Sequence, residues 1–94
     1  MHKAHILTIV AIEDRQAFLK YRDAVAPVNA ALGGEVVLRG GAEILEGHGG
    51  STESVIAIGF PDVETAKAYI SSAQYRALEP LRHAAGSFTI RVVG

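Results

Sequence analysis

An α+β fold, with elements in the order β-α-β-β-α-β, is what this chain predicts, and three observations predict it. Four short segments read as β-strands. Two regions carry apolar residues at helical spacing. At least two of the strands are apolar on both sides: in His5-Ile6-Leu7-Thr8-Ile9-Val10-Ala11-Ile12 one side holds Leu7, Ile9 and Ala11, the other Ile6, Val10 and Ile12. The segment Ser54-Val55-Ile56-Ala57-Ile58-Gly59-Phe60 repeats the pattern. A strand wetted on one side alternates apolar and polar residues, whereas a strand covered on both sides does not. Two helical regions cover one face of a sheet, so the other face needs a second cover. This predicts pairing of the chain with a copy of itself.

The first strand spans about Ala4 to Ile12. Glu13-Asp14-Arg15 breaks the apolar run, and Asp14 has the chemistry of a helix N-cap. The helix after it places Phe18, Tyr21, Val25, Val28 and Leu32 on one face. Pro27 falls inside that pattern and would clash with the carbonyl of Asp23, which predicts a kink or a break. Gly33-Gly34 ends the helix as a left-handed cap would. Glu35 to Arg39 reads as a second strand, interrupted by a bulge or bend at Gly40-Gly41 and resumed over Ala42 to Leu45. Gly47-His48-Gly49-Gly50-Ser51 reads as a loop, and Glu53 to Phe60 as the third strand. Pro61-Asp62 opens a second helix to about Ile70, with Val63, Ala66, Tyr69 and Ile70 inward. Ser71 with Gln74 forms a capping-box pattern that predicts a short helix restarting there. Its buried side would hold Tyr75, Leu78 and Leu81, and Pro80 would disturb its end. Ser87 to Val93 alternates as a last strand, with Phe88, Ile90 and Val92 against Thr89 and Arg91. This is the split βαβ, or ferredoxin-like, arrangement: one domain over residues 1–94, a four-stranded antiparallel sheet with its helices on one face. Two copies packed sheet to sheet would form a dimeric α/β barrel and cover the bare face.

Composition narrows the function classes. The chain is 49% hydrophobic and 20% charged, within the range of an ordinary globular domain. A net charge of −1 gives no general attraction to nucleic acid or to an anionic membrane. No apolar run approaches the ~18 residues of a membrane helix. The N-terminus lacks the apolar stretch of a signal peptide. The absence of cysteine excludes disulfides and thiolate metal sites and fits a reducing cytoplasm. RNA-recognition domains share this element order but stack bases on aromatics of the first and third strands. Here those positions hold Leu7, Thr8, Ile9, Val55, Ile56 and Ala57.

The stretch Gly33-Gly34-Glu35-Val36-Val37-Leu38-Arg39-Gly40-Gly41, followed by Glu43-Ile44-Leu45-Glu46-Gly47, resembles the "GG…hxRGG…hLEG" core of the bacterial family called domain of unknown function 1330. Phe60-Pro61-Asp62, then Ser72-Ala73-Gln74-Tyr75 and Arg82, is similar to that family's "FPs…SpeYq…R". Gly59 departs from an acidic residue often found before Phe-Pro, and Ala73 from a proline. The resemblance implies a dimeric α/β barrel and no settled activity. The wider superfamily includes cofactor-free monooxygenases, lactone isomerases, haem-degrading enzymes and stress-response proteins, and shared fold alone does not assign one of these reactions.

Four residues stand out as candidate ligand contacts. Arg39 lies on a strand beside glycines, aimed into a cleft to bind a carboxylate or phosphate, or else held in an ion pair with Glu46 or Glu35. Arg82 has its place in the family-like pattern and could reach the same cleft; a cation at a helix end is also favoured by the helix dipole, which accounts for His83. Tyr21 is the tyrosine chosen for ligand contact, while Tyr69 and Tyr75 read as core residues with hydroxyls at the rim. Glu46-Gly47-His48-Gly49-Gly50 could be a flexible lid carrying an acid, Glu46, and an imidazole, His48, as candidate general base, and a plain hairpin connection accounts for the same residues. That loop lacks the Gly-Lys-Ser/Thr of a phosphate cradle, and nothing in the sequence calls for a cofactor. His2 and His5, three apart on a strand, are expected on opposite faces, which leaves no metal pair. The set of Asn, Trp and His expected of a quinone-forming monooxygenase is incomplete, since the chain has no tryptophan and Asn29 is its one asparagine. The expectation is a small homodimeric bacterial protein binding an anionic or carbonyl-bearing organic molecule between sheet and helices. The alternatives are a non-enzymatic stress or regulatory module and a cofactor-free isomerase or monooxygenase-like enzyme.

Overall fold

The computed structural model describes residues 2–49 and 53–94. Its elements are β1 (Ala4–Ile12), α1 (Arg15–Ala31), β2 (Glu35–Gly41), β3 (Glu53–Phe60), α2 (Val63–Ser71), α3 (Ala73–Arg76), α4 (Glu79–Ala85) and β4 (Gly86–Val93). One antiparallel sheet runs in the order β2-β3-β1-β4, so the predicted ferredoxin-like α+β fold is present. The sheet of the single chain is open, with β2 and β4 as free edges. Gly50 and Ser51 of the expected loop lie outside the described residues.

Register sorts the side chains by face. Ala4, Ile6, Thr8 and Val10 of β1 stand opposite Phe60, Ile58, Ile56 and Ser54 of β3, and all are buried under the helices. The alternate set, Leu7, Ile9 and Ala11 with Val55 and Ala57, forms the other face, where Leu7, Ile9, Ala11 and Val55 are only half-buried. Among the described residues no element of the same chain covers that apolar face.

Caps fix the helices. Asp14 accepts from the amide of Ala17 at 3.1 Å, and Asp62 from that of Thr65 at 2.7 Å. The Thr65 amide holds the Asp62 carboxyl below its usual pKa. At the end of α1, Gly34 donates to the Asn29 carbonyl at 2.8 Å and Gly33 to Ala30 at 3.4 Å, with Gly33 at φ 86°. This is the expected left-handed glycine cap, of Schellman type.

Four expectations need correction. Of the kink or break expected at Pro27, the break does not occur: α1 passes through the proline without ending. Pro27 and Asp23 are both exposed, so water can satisfy the carbonyl that the proline leaves free. The cap of α3 is Ser72, whose hydroxyl accepts from the Tyr75 amide at 3.1 Å; the Ser71 hydroxyl instead donates back to Lys67 at 3.1 Å within α2. Pro80 begins α4 rather than ending a helix, in the first turn where no amide partner is needed. Finally, β2 continues through both glycines to Gly41 and does not resume at Ala42, and its bulge lies at Val37, between Val36 and Leu38. On an edge strand the bare glycines meet nothing that a side chain would have packed against.

Gly86 makes the tightest junction. With φ 153° it turns α4 directly into β4, and a Cβ there would come within 2.1 Å of the Ala11 carbonyl oxygen. Beside it, the amides of Glu13 and Asp14 both donate to Ala85, at 2.8 and 3.2 Å. These bonds pin the turn between β1 and α1 to the end of α4, at the corner where the main cleft opens.

Candidate functional site

The bulge decides where Arg39 points. In an even strand, residues three apart lie on opposite faces. With Val37 inserted, Val36 pairs with Ile58 and Arg39 with Ile56, so both take the helix-facing side. Arg39 therefore faces α1. Between them lies a cleft of about 620 Å³ lined by Ile12 and Glu13, by Arg15, Phe18, Leu19 and Arg22 of α1, by Arg39 to Ala42, and by Glu53 and Ser54. Ser54 donates to the Gly40 carbonyl at 3.3 Å and so fastens the β2 edge to the cleft wall.

Three guanidinium groups line this cleft, and among the described residues none of the three makes an ion pair. The alternative reading of Arg39 looked to Glu35 or Glu46 for a partner; Glu35 instead meets His2 at 3.1 Å. Arg15 and Arg22 were not singled out in the sequence. Their signal was legible there: two turns apart on one helical face, they flank Phe18 and have no acidic residue three or four positions away.

Arg82 lies elsewhere. It does not line the cleft of Arg39. Its guanidinium carbon stands 5.2 Å from the centre of the Tyr75 ring and 5.8 Å from that of Phe88. Its Nη2 lies 3.7 Å from Glu79, and its buried Nε has no hydrogen-bond partner among the described residues. Tyr21 belongs to this second cluster. Its ring meets Phe88 edge-on at 5.0 Å and its hydroxyl shares a 3.1 Å hydrogen bond with that of Tyr75. Tyr69 donates to Asn29 Oδ1. The tyrosine hydroxyls are thus not at the rim: all three side chains are buried, with their oxygens bonded inside the core. Burial pushes the phenols of Tyr21 and Tyr69 above their ordinary pKa of 10.0, with the charge of Arg82 pulling the other way.

His48 and Glu46 are exposed and line neither the cleft nor the shallow recess formed by Gly41 to Ile44 with Gly49. His2 and His5 share a face, contrary to the expectation from strand alternation, because His2 precedes β1. A Cβ on Gly59, the partner of His5, would strike the His2 ring, and the two histidine rings stand 6.0 Å apart. Among the described residues no group of three His, Cys, Asp or Glu is placed to hold a metal ion, and no helix is long and apolar enough to cross a membrane.

The fold is that of a ferredoxin-like α+β protein. The chain belongs to the family described as domain of unknown function (DUF1330), whose model matches residues 3–94. Among solved structures it is similar to a protein of unknown function from Rhodopseudomonas palustris, with 24% identity, a TM-score of 0.76, and coverage of 96% of this chain and 79% of that one. A protein from Jannaschia sp., described as a dimeric ferredoxin-like protein of unknown function, is 15% identical with a TM-score of 0.71, covering 97% of both chains. A conserved protein of unknown function from Bacteroides thetaiotaomicron, described as a possible oxidoreductase, is 11% identical with a TM-score of 0.59, covering 96% of this chain and 94% of that one. At these identities the likeness concerns the fold. No curated protein matches the chain.

Proposed function

We propose that the protein binds a small organic anion in the cleft between α1 and the β2 edge, with Arg39 as its principal contact. The observation that carries this reading is the facing of Arg39: the bulge at Val37 turns an unpaired guanidinium toward α1, beside the apolar side chains of Phe18 and Leu19. A carboxylate on such a guanidinium forms charge-assisted, bidentate hydrogen bonds. The proposal is binding rather than turnover, because the acid–base candidates His48 and Glu46 are exposed and line neither recess. Isothermal titration with benzoate and hexanoate tests it: the unmodified protein should bind at least one, and Arg39→Ala should lose that binding with its melting curve unchanged. Equal binding by the variant removes the reading.

The proposed state is a homodimer joined through the bare sheet face. Its support is the uncovered apolar set Leu7, Ile9 and Val55, together with Leu38, which is 60% exposed, and the dimeric description of the Jannaschia protein. Sedimentation should give a dimer that Leu38→Arg weakens; a monomer at all concentrations contradicts it. The proposed setting is the bacterial cytoplasm, in keeping with a cysteine-free sequence.

A further inference from the structure

The cleft presents more guanidinium groups than one carboxylate requires. Arg15 and Arg22 lie seven residues apart on α1, up to about 10 Å along its axis, with Phe18 and Leu19 between them; Arg39 reaches in from β2. Two glutamates, Glu13 and Glu53, line the cleft as well, each with a further contact of its own. Glu13 accepts from Ser87 on β4 at 3.4 Å. Glu53 pairs with Ala11 on the opposite face of the sheet, and its Oε1 lies 3.4 Å from where a Cβ on Gly49 would stand. A second observation is independent of the cleft. Arg15 is the first residue of α1, whose first turn holds no acidic residue beyond the N-cap Asp14. A cation there opposes the helix dipole, so the position is unfavourable for the helix by itself. Breaches of a local rule of this kind concentrate at functional sites.

We infer that the cleft takes an organic dianion: two carboxylates joined by an apolar spacer that lies along α1 on Phe18 and Leu19. Arg15 holds one carboxylate, and Arg22 and Arg39 hold the other. Arg15 and Arg22 thereby become binding residues, and the spacer length becomes the basis of selection. This inference rests on the reading of the cleft as an anion site.

Three probes of one shape separate the two readings: terephthalate, 4-carbamoylbenzoate and terephthalamide, with two, one and no charges; adipate serves as an aliphatic dianion. Titrations at about 0.15 M salt, where exposed charges are screened beyond about 8 Å, should give a dianion affinity about tenfold or more above that of the monoanion. Arg15→Gln should bring the dianion down to the level of the monoanion and leave the monoanion unchanged. Equal affinities for the two, or an Arg15→Gln variant that binds the dianion as before, overturns the inference while the anion site stands. Failure of terephthalate, carbamoylbenzoate and adipate alike overturns both.

Discussion

Arg39 and Arg82 both sit in family-like stretches of sequence, yet the fold treats them in opposite ways. Arg82 is enclosed. Its side chain is 13% exposed, its guanidinium lies against Tyr75 and Phe88, and its Nε has no partner among the described residues. Arg39 is exposed on an edge strand, makes no ion pair among the described residues, and faces an open cleft beside two other arginines. A guanidinium packed between aromatic rings contributes through its stem and its cation–π contacts, and so acts as part of the core. One with neither packing nor partner contributes little to stability and stays free to meet a ligand. The same residue type thus marks structure in one place and recognition in the other, and the difference is set by what surrounds it.

Truncating Arg82 should produce the largest effect. Arg82→Ala empties the space between Tyr75 and Phe88 and should destabilise the protein by about 2–4 kcal/mol in urea or thermal unfolding. Arg82→Met keeps the volume and removes the buried unpartnered N–H, so it should regain all but about 1 kcal/mol. A Met variant as unstable as the Ala variant would show that the charge, rather than the packing, holds the site together.

Next in size is an alkaline transition arising from the same cluster. Tyr21 and Tyr69 keep their protons in the folded protein at pH values where the unfolded chain, titrating near 10, has released them. Below pH 10 both states hold the proton and stability does not depend on these groups. Above it the unfolded state binds fewer protons than the native one, so stability falls as pH rises, by roughly 1.4 kcal/mol per tyrosine for each further pH unit. Unfolding midpoints measured from pH 9 to 11 should be flat and then drop. A smaller effect comes from Tyr69→Phe, which leaves the buried Asn29 Oδ1 without its donor and should cost about 1–3 kcal/mol. The double change Tyr69→Phe with Asn29→Leu should recover part of that loss.

Much of the enclosed region was legible in the sequence and much of the cleft was not. Helical spacing named Phe18, Tyr21 and Val25 as an inward face because each position depends only on its own helix. Asp14 could be read as a cap, and Pro61-Asp62 as a helix start, for the same reason: a helix start is decided within a few residues. The bulge at Val37 depends on the register against β3, which no local pattern states. The sequence suggested Gly40-Gly41 instead, since glycine is the usual sign of an irregular strand. The facing of Arg39 follows from that register, so its neighbours Arg15 and Arg22 could not be joined to it beforehand. Serine choice at residues 71 and 72 failed on a finer point: both precede the helix at workable distances, and Ser71 is taken up by α2.

The smallest stability effect is expected at Arg39 itself, and it completes the contrast with Arg82. An exposed edge-strand side chain without a partner should change stability by less than about 0.5 kcal/mol when removed. The sign follows from its neighbours: Arg15 and Arg22 share the cleft, so Arg39→Ala relieves repulsion among like charges and should hold the melting temperature or raise it slightly. Salt reports on the same balance. Added salt screens the three guanidinium groups in the unmodified protein and finds less to screen in the variant. The melting temperature of the unmodified protein should therefore rise more steeply between low and moderate ionic strength than that of Arg39→Ala. A variant that melts well below the unmodified protein, with the steeper salt response, would show Arg39 engaged in a stabilising pair and would dissolve the distinction between the two arginines.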